Sequence, residues 1–437
     1  MSKITVSHFN TFPYGGAATA SLRTHTKLIQ QGIDSRYFWF RDERGGSHGN
    51  NVNQVELNAP KTSFLKTLFA KKRQRRQQKE IFRLFDTHLQ NREPAMETFS
   101  MARLPEPGEL PAHAANVDVV HLHWISFFAD YPSFFGSIPQ HVPIVWTLHD
   151  MNPFTGGCHY SGGCEGFKTG CGSCPQVIAP GPQDVSVDSI NAKRAALAGR
   201  EVHVTAPSQW MIDLAKQSPV WPKGTTFTKI HLGFDLENFY PVDRAEARQE
   251  LGIESDAVLV AFGADDLNSK RKGFHHLLSA LKQIKTDRSV ECLVFGGGEI
   301  PDDAELPPIH HLGFIDSFDR QRLAYSAADL VVVPSREDNQ PQVGLEAMAC
   351  GVPVVAFDAG GIPEYVRDSE TGCLVALGDE PSLAKKISGM CDLESFRTRL
   401  GDAALAMVQE EFELSRQTQT YHDLYQSITQ RTVTRAA

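Results

Sequence analysis

The chain has 437 residues, too many for one ordinary hydrophobic core, and this length fits two domains of about 200 residues each. Apolar residues make up 41% of the chain and charged residues 22%, which argues against a disordered or fibrous protein. The formal net charge of −9 gives no support to nucleic-acid binding.

The N-terminus enters a predicted strand at once, at Ile4–Phe9, without the apolar core of a signal peptide. No apolar run reaches the roughly 20 residues that span a membrane. We therefore predict a cytoplasmic protein. Its eight cysteines are then expected to be thiols or metal ligands rather than structural disulfides.

A glycine turn and a predicted helix follow the first strand. The turn Pro13–Ala17 contains Gly15 and Gly16, and apolar side chains recur at helical spacing from Ala18 to Gln31. Paired glycines let the backbone approach a ligand closely, as in Rossmann-like domains. A Gly-Gly pair by itself also fits a simple turn.

Residues 61–84 form a basic segment in which lysines and arginines alternate with apolar residues such as Phe64 and Leu68. A basic amphipathic helix can lie on an anionic membrane surface. It can equally be the solvated face of a helix. The residues of the segment leave both interpretations open.

Two predicted strands end in polar residues. Val117–Trp124 has His123 near its end, and Pro143–Leu148 is followed by His149 and Asp150. Open α/β sheets bind ligands at the carboxyl ends of their strands. A histidine there is well placed for chemistry, although many histidines only satisfy hydrogen bonds. His123 and Asp150 are further candidates for acceptor binding.

A glycine-rich loop at 155–176 contains half of the cysteines, namely Cys158, Cys164, Cys171 and Cys174. In a reducing compartment four thiolates favour a tetrahedral zinc site, which is structural because no ligand position stays open for water. His159 could replace one thiolate. Only one pair has Cys-x-x-Cys spacing, so two disulfides or an iron–sulfur cluster remain alternatives.

The alternation of strands and helices restarts after Val202–Ser208, at the predicted strand Ala257–Gly263. Three cations, Lys270, Arg271 and Lys272, then precede a predicted helix. Cations at a helix N-terminus oppose the helix dipole. We therefore expect an anionic ligand such as a diphosphate near them.

The most informative stretch is Ser335–Val355, which lies between the predicted strands Leu330–Val333 and Val354–Phe357. Asp338 lies in its loop and Glu346 on its helix. The helix N-terminus favours a phosphate. Carboxylates beside such a site suit sugar and ribose hydroxyls, unless both are merely solvated charges.

Within this stretch, Glu346–Val355 (EAMACGVPVV) resembles the signature of the retaining glycosyltransferases of family 4, in which seven residues separate two acids. Three further segments are similar to this family. Ile230–Pro241 resembles its linker, Lys272 and Gly273 its "KG" pair, and Gly296–Glu299 its "GxGxE" element.

The resemblance implies an α/β protein with the GT-B fold, in which two Rossmann-like βαβ domains face each other across a cleft. We predict an acceptor-side domain at 1–230, which includes the loop 155–176. A nucleotide-sugar-binding domain follows at 231–411. The segment 412–437 is predicted to contain a helix that returns to the N-terminal domain.

The resemblance also implies the site residues. His149 and the loop acid contact the donor sugar, and Glu346 contacts the ribose. Asp338 stands where the family usually has Glu, and Glu337 precedes it, so both are candidates. Ala264 stands where the family has a phosphate-binding Arg, so Lys270 or Arg271 must substitute. The residues expected at the donor nucleotide are Gly15, Gly16, Lys270, Arg271, Lys272, Asn339, Gln340, Pro341, Gln342 and Val343.

For function, the resemblance implies a hexosyltransferase-type enzyme that uses a nucleotide diphosphate sugar, retains the anomeric configuration and needs no catalytic metal. The acceptor is expected to be a saccharide or lipid-linked saccharide of bacterial surface-polysaccharide biosynthesis. The cysteine loop is similar to that of colanic acid-type enzymes. Peripheral contact of 61–84 with the inner membrane face suits such an acceptor. The alternatives are a GT-B nucleotide-sugar epimerase and a catalytically weak polysaccharide-assembly protein that binds partners.

Overall fold

Residue contacts divide the chain into two units, Met1–His231 with Gln417–Ala437, and Leu232–Arg416. The computed structural model describes residues 3–40, 52–54, 76, 79–81, 83–84, 87–90, 92, 97–105, 108–234 and 236–436, of which 52–54 and 431–436 are described as backbone only.

The first unit is an α/β sheet structure. Its described strands are β1 Thr5–Asn10, β2 Asp34–Trp39, β3 Val52–Gln54, β4 Val119–Leu122, β5 Ile144–Thr147, β6 Val202–Ala206 and β7 Thr226–Lys229. Its described helices are α1 Gly16–Gln30, α2 Ala112–Ala115, α3 Tyr131–Ser137, α4 Val185–Leu197 and α5 Gln209–Ala215. The strands form one parallel sheet in the order β3-β2-β1-β4-β5-β6-β7.

The central strands of this sheet are buried along their whole length. Every residue of β4, β5 and β6 is buried, because helices cover both faces of a parallel sheet. Trp146 of β5 is fully buried and packs 5.7 Å, centroid to centroid, from Phe135 of α3. Apolar runs such as Ile144–Thr147 therefore predict these strands well.

The second unit repeats this plan. Its described strands are β8 Val258–Asp266, β9 Val290–Gly297, β10 Ile309–His311, β11 Leu330–Val333, β12 Val354–Asp358 and β13 Gly372–Ala376. Its described helices are α6 Arg244–Leu251, α7 Phe274–Leu281, α8 Phe318–Ala327, α9 Gln342–Ala349, α10 Glu380–Asp392, α11 Glu394–Glu411 and the start of α12 Leu414–Ala436. The strands form a parallel sheet in the order β10-β9-β8-β11-β12-β13.

A buried carboxylate joins several elements of the second unit. Asp329, just before β11, forms ion pairs with Arg244, Arg248 and Arg397 at 2.8, 2.8 and 3.2 Å. Its Oδ2 also accepts the backbone N–H of Leu259 at 2.8 Å. The network fixes α6, α11 and the start of β11 against β8.

Helix α12 spans Leu414–Ala436, within the segment 412–437 in which a helix is predicted. Its residues from Gln417 belong to the first unit. There the hydroxyl of Tyr421 lies 2.7 Å from Oγ1 of Thr147, and the hydroxyl of Tyr425 lies 2.6 Å from Nδ1 of His121. The helix is therefore part of the hydrogen-bonded core of that unit.

Each sheet has one point at which the strand order reverses, between β1 and β4 in the first unit and between β8 and β11 in the second. Doubly wound sheets bind ligands outside the carboxyl ends of the strands at such points. We therefore expect a site in each unit to lie in the segments that follow these strands.

Candidate functional site

The loop between β11 and α9 holds Asp338 beside two cations. Nη1 of Arg271 lies 2.9 Å and Nζ of Lys272 lies 2.8 Å from Oδ2 of Asp338. Asp338 is only 5% exposed. Burial raises the pKa of its carboxyl, but Lys272 and Arg271 outweigh this effect and lower the pKa to about 2. Asp338 is therefore ionised at neutral pH.

Two glycines fix the path of this loop. A Cβ on Gly360, where φ is +59°, would lie 1.9 Å from the carbonyl oxygen of Asp338, and a Cβ on Gly273, where φ is +77°, would lie 2.0 Å from that of Pro334. The carbonyl of Asp338 also accepts the N–H of Gly361 at 2.9 Å. Only glycine combines these backbone angles with so close an approach. The loop is thus held against the segments before α7 and after β12.

Glu337, the neighbouring acid, is placed differently. It is partly exposed, and its backbone carbonyl accepts a hydrogen bond from Nη1 of Arg271 at 3.1 Å. Of the two adjacent acids, Asp338 is the one whose carboxylate forms ion pairs with Arg271 and Lys272. The structure therefore gives the two candidates different surroundings.

Glu346 lies on α9 and is 8% exposed. The hydroxyl of Tyr325, on α8, donates a hydrogen bond to its Oε2 at 2.6 Å. Burial and the Glu346 carboxylate raise the pKa of Tyr325 well above its usual range, so this hydroxyl keeps its proton. Sequence analysis missed Tyr325, because it lies 21 residues upstream in no motif.

The residues between the two acids lead into α9. Asn339 and Gln340 are buried, and Oε1 of Gln340 accepts the N–H of Leu232 at 3.3 Å. Pro341 precedes the first helical residue, Gln342, and no side chain caps the helix. The positive end of the helix dipole is thus not neutralised by a cap.

Lys270 lies apart from Arg271 and Lys272, the two cations that form ion pairs with Asp338. It lines a groove of about 480 Å³ together with Asn268, Phe274, His275 and Glu299. Burial lowers the pKa of His275, and the charge of Lys270 contributes to this effect. Of the two candidates to replace the missing arginine, Arg271 is therefore the one that the structure brings to the loop acid.

In the first unit, Gly15 and Gly16 lie between the carboxyl end of β1 and α1. Gly15 caps the helix with a φ of +89°, and a Cβ there would meet no atom within 4 Å. Its carbonyl accepts the N–H of Thr19 at 2.9 Å. The pair thus occupies the glycine-loop position of a Rossmann-like unit.

A row of histidines runs from His149 into the sheet. Nδ1 of His123 lies 3.2 Å from Nε2 of His149, and Nε2 of His123 lies 3.0 Å from Nδ1 of His8. His149, after β5, is partly exposed, whereas His123 and His8 are buried. Sequence analysis missed His8, which pairs in register with His121 of β4.

These histidines are neutral at neutral pH. Burial lowers the pKa of His149 to about 4, and burial followed by the neighbouring imidazoles lowers the pKa values of His123 and His8 well below the usual range. Nε2 of His8 has no hydrogen-bond partner among the described residues. A buried unpaired acceptor is commoner than an unpaired N–H. His8 and His123 therefore each donate from Nδ1, toward His149.

Asp150 and His159 form a separate buried network. Oδ2 of Asp150 accepts Nε1–H of Trp124 at 2.7 Å and lies 2.5 Å from Nδ1 of His159. Nε2 of His159 lies 2.9 Å from Oγ of Ser100. Both ring nitrogens of His159 are thus engaged by Asp150 and Ser100.

The same network changes the role expected for two acceptor-binding candidates. Asp150 is buried, and its Oδ1 accepts the N–H of Asn152 at 2.9 Å. His123 is 3% exposed and lies between His8 and His149. Both side chains are buried and form hydrogen bonds within the first unit, so neither is placed to bind an acceptor.

The four cysteines of the loop 155–176 line one small cavity, and all eight cysteines of the chain are free thiols. Among the described residues, the set of three side chains whose potential ligand atoms all lie within 4.8 Å of one another is His8, His121 and His123. The thiols share a cavity, but they do not form such a set.

The predicted membrane-contact segment 61–84 falls mostly outside the described residues. Of the short stretches that are described, Lys79 and Glu80 are exposed and Ile81 is buried. Across the described helices, none has the length and apolar character needed to cross a bilayer.

Residues 256–392, which contain the Asp338 loop, Glu346 and the three cations, match the family described as glycosyl transferases group 1. The chain contains a glycosyl transferases group 1 domain and is a glycosyltransferase. Its two parallel α/β sheets are those of the GT-B fold. The resemblance noted in the Glu346–Val355 signature is thereby confirmed.

Two curated relatives of this glycosyltransferase cover it to very different extents. It is 26% identical over 419 residues to the putative colanic acid biosynthesis glycosyl transferase WcaC of Escherichia coli K12, a match that covers 91% of this chain and 95% of WcaC. It is 39% identical over 158 residues to D-inositol 3-phosphate glycosyltransferase of Mycobacterium sp. strain KMS. That match covers 33% of this chain and only 35% of the relative.

Among solved structures, the chain is similar to Anabaena HepE, described in complex with UDP and glucose. The TM-score is 0.63 at 19% identity, with 97% of this chain and all of the HepE chain covered. At this identity the likeness shows the fold. The comparisons support a role consistent with polysaccharide biosynthesis.

Proposed function

We propose that this glycosyltransferase moves a sugar from a nucleotide diphosphate sugar to a saccharide or lipid-linked saccharide, with retention at the anomeric carbon. The observation that carries the proposal is the cluster of Asp338, Arg271 and Lys272. It stands where β8 and β11 meet, the point at which doubly wound sheets bind nucleotides. Asp338 holds Arg271 and Lys272 together, so their positive charges are well placed to bind a diphosphate.

Leaving-group stabilisation then supplies most of the catalysis. Lys272, Arg271 and the uncapped start of α9 place positive charge where the departing diphosphate develops negative charge. No catalytic metal is needed for that step. We propose front-side attack, in which the leaving phosphate helps to deprotonate the acceptor hydroxyl.

The two acids of the loop and helix bind the donor through its hydroxyls. We assign the ribose to Glu346, which Tyr325 holds in place through Oε2. We assign the donor sugar to Asp338 rather than Glu337, because the ion pairs of Asp338 connect sugar binding with the diphosphate cations. His149 takes the second sugar contact, with Nδ1–H as its donor.

The acceptor belongs to surface-polysaccharide assembly. This assignment is supported by the similarity to WcaC, which is named for colanic acid biosynthesis and is covered over 95% of its length. We place the enzyme in the cytoplasm, where 61–84 would contact the anionic inner face of the membrane.

The donor can be identified by protection against thermal unfolding. We would screen nucleotide sugars, beginning with UDP-glucose because of HepE. A ligand at 100 times its dissociation constant adds about 2.7 kcal/mol to the stability of the folded state. Protection by a nucleotide sugar would support the proposal, and the absence of protection across all nucleotide sugars would contradict it.

Transfer itself is measured by mass spectrometry of the products with the protecting donor and saccharide acceptors. Glu346→Ala should remove most of the transfer, whereas Glu394→Ala, at an exposed position of α11, should not. Release of an isomerised sugar without acceptor would favour an epimerase. Donor binding without any transfer would favour a polysaccharide-assembly protein.

A further inference from the structure

The cavity between the four cysteines of the loop 155–176 has room for a single small occupant. Its volume is about 20 Å³, and its wall includes Phe99 and Phe167. About 10–15 Å³ is needed to hold one water-sized sphere. A sugar or nucleotide is therefore excluded, and a single ion is the size of ligand that fits.

The backbone of the loop places a donor at one of the four sulfurs. The N–H of Gly166, two residues after Cys164, donates a hydrogen bond to Sγ of Cys164 at 3.4 Å. A donor aimed at sulfur stabilises a thiolate more than a thiol. This contact therefore suits a metal-bound Cys164.

Two cations lie near the loop. Lys193 is completely buried, and its Nζ donates to the carbonyls of Asn152 and Thr155 and to the Asn152 side chain. The guanidinium carbon of Arg92 lies 5.6 Å from the ring centroid of Phe99, which lines the cavity. A buried cation is costly unless it is paired. Negative charge at the cysteines would therefore add to the stabilisation of Lys193.

We propose that Cys158, Cys164, Cys171 and Cys174 bind one zinc ion as a closed structural site. Four thiolates and one Zn²⁺ keep two negative charges, and Lys193 and Arg92 balance them. Tetrahedral Zn–S bonds of about 2.3 Å put the sulfurs about 3.8 Å apart. No three of the four sulfurs lie within 4.8 Å of one another in the described structure, so zinc binding requires the thiols to turn inward.

The ion would fix a loop that is bonded to the buried network of Asp150. Ser100 donates its N–H to the carbonyl of Gly157 at 2.9 Å, and Met151 donates to the carbonyl of His159 at 2.9 Å. Nδ2 of Asn152 also donates to the carbonyl of Gly157 at 2.8 Å. Zinc therefore stabilises the strand end of the first unit, and this role does not depend on the identity of the donor.

The first test uses the full wild-type chain, purified without a metal-affinity tag from cells supplied with zinc. Elemental analysis should find about one zinc per chain. Reaction of the thiols with an organomercurial, followed with a zinc-sensitive dye, should release that zinc. Less than about half a zinc per chain, or iron in its place, would overturn the proposal. So would disulfides among the four cysteines in mass spectra of the unreduced protein.

The second test compares matched variants. Cys164→Ala should lower the zinc content by about tenfold or more, whereas Cys391→Ala, at a buried cysteine of α10, should keep it. Full zinc in Cys164→Ala would place the ion elsewhere, with His8, His121 and His123 as the first alternative. If Cys164→Ala does not fold, the measurements on the wild-type chain decide.

Discussion

Nδ1 of His123 lies 3.2 Å from Nε2 of His149, the histidine that follows β5. Because His123 is neutral and donates from Nδ1, the contact fixes the proton of His149 on its own Nδ1. His123 is thus a positioning residue: it lies within the sheet and orients His149.

Replacement of His123 tests this role. His123→Phe should lower kcat by about 10-fold or more, with a smaller change in the KM of the donor, because His149 loses its fixed tautomer. The pH profile of kcat should also shift. His25→Phe, which alters a buried ring 5.9 Å from His8, serves as the control. Equal losses in both variants, with unchanged pH profiles, would reduce His123 to a packing residue.

The buried histidines also predict an acid-sensitive stability. Burial lowers the pKa of His121 to about 3 and that of His149 to about 4, from the usual 6.5. The unfolded chain therefore binds more protons in this range, and the free energy of unfolding falls as the pH falls from 6.5 toward 4. Asp338, with a pKa of about 2, loses its contribution only below its usual 3.8.

Urea denaturation of the wild-type chain between pH 7 and pH 4 measures this effect. We expect a loss on the order of a few kcal/mol. His121→Phe should show a shallower dependence, although it is less stable at neutral pH because it loses its hydrogen bonds to Tyr425 and Thr147. A flat free energy of unfolding across the window would contradict the buried neutral histidines.

The two adjacent acids should respond differently to neutralisation. Asp338→Asn removes the charge that holds Arg271 and Lys272, and we expect kcat to fall by about 100-fold or more. Glu337→Gln should cost much less. Steady-state kinetics with saturating donor make the comparison. A larger loss from Glu337→Gln would reverse the assignment.

Tyr325 should matter for donor binding. Tyr325→Phe removes the hydrogen bond from the Tyr325 hydroxyl to Oε2 of Glu346, and we expect the KM of the donor sugar nucleotide to rise several-fold with a small change in kcat. Tyr37→Phe removes a comparable buried hydroxyl contact, to Ser21 in the first unit, and should leave KM unchanged. An unaltered KM in Tyr325→Phe would mean that Glu346 needs no such support.

Asp329 should be a large contributor to stability. Asp329→Ala leaves three arginines without their shared carboxylate, including Arg397, whose side chain is 4% exposed. We expect a loss of about 3–5 kcal/mol in the free energy of unfolding. Asp319→Ala removes a carboxylate that is 84% exposed and pairs with Arg322, and it should cost less than about 1 kcal/mol. Similar midpoints in denaturant for both variants would contradict this.

The architecture could be predicted from sequence because the central strands are buried on both faces and read as continuous apolar runs, as in Leu330–Val333. Asp338 and Glu346 were found together because they lie in one strand-loop-helix unit. The ion pair between Lys272 and Asp338 spans 66 residues. It depends on β8 and β11 being neighbours, which no local pattern reveals.

Other residues carried no signal at all. Tyr325 lies on a helix outside every motif, and its hydroxyl reaches Glu346 only because α8 packs against α9. His159 looked like a metal ligand beside Cys158, but the bend of the loop turns its ring toward Asp150. Such outcomes depend on side-chain direction in three dimensions, which residue spacing does not determine.

The close approach of Gly360 to the carbonyl of Asp338, and of Gly273 to that of Pro334, has a consequence for engineering and for evolution. A change in the length or path of the loop between β11 and α9 would require matching changes in the segments around Gly273 and Gly360. Exchange of donor specificity between relatives should therefore succeed when the three segments are grafted as a set, and fail when the loop is transplanted alone.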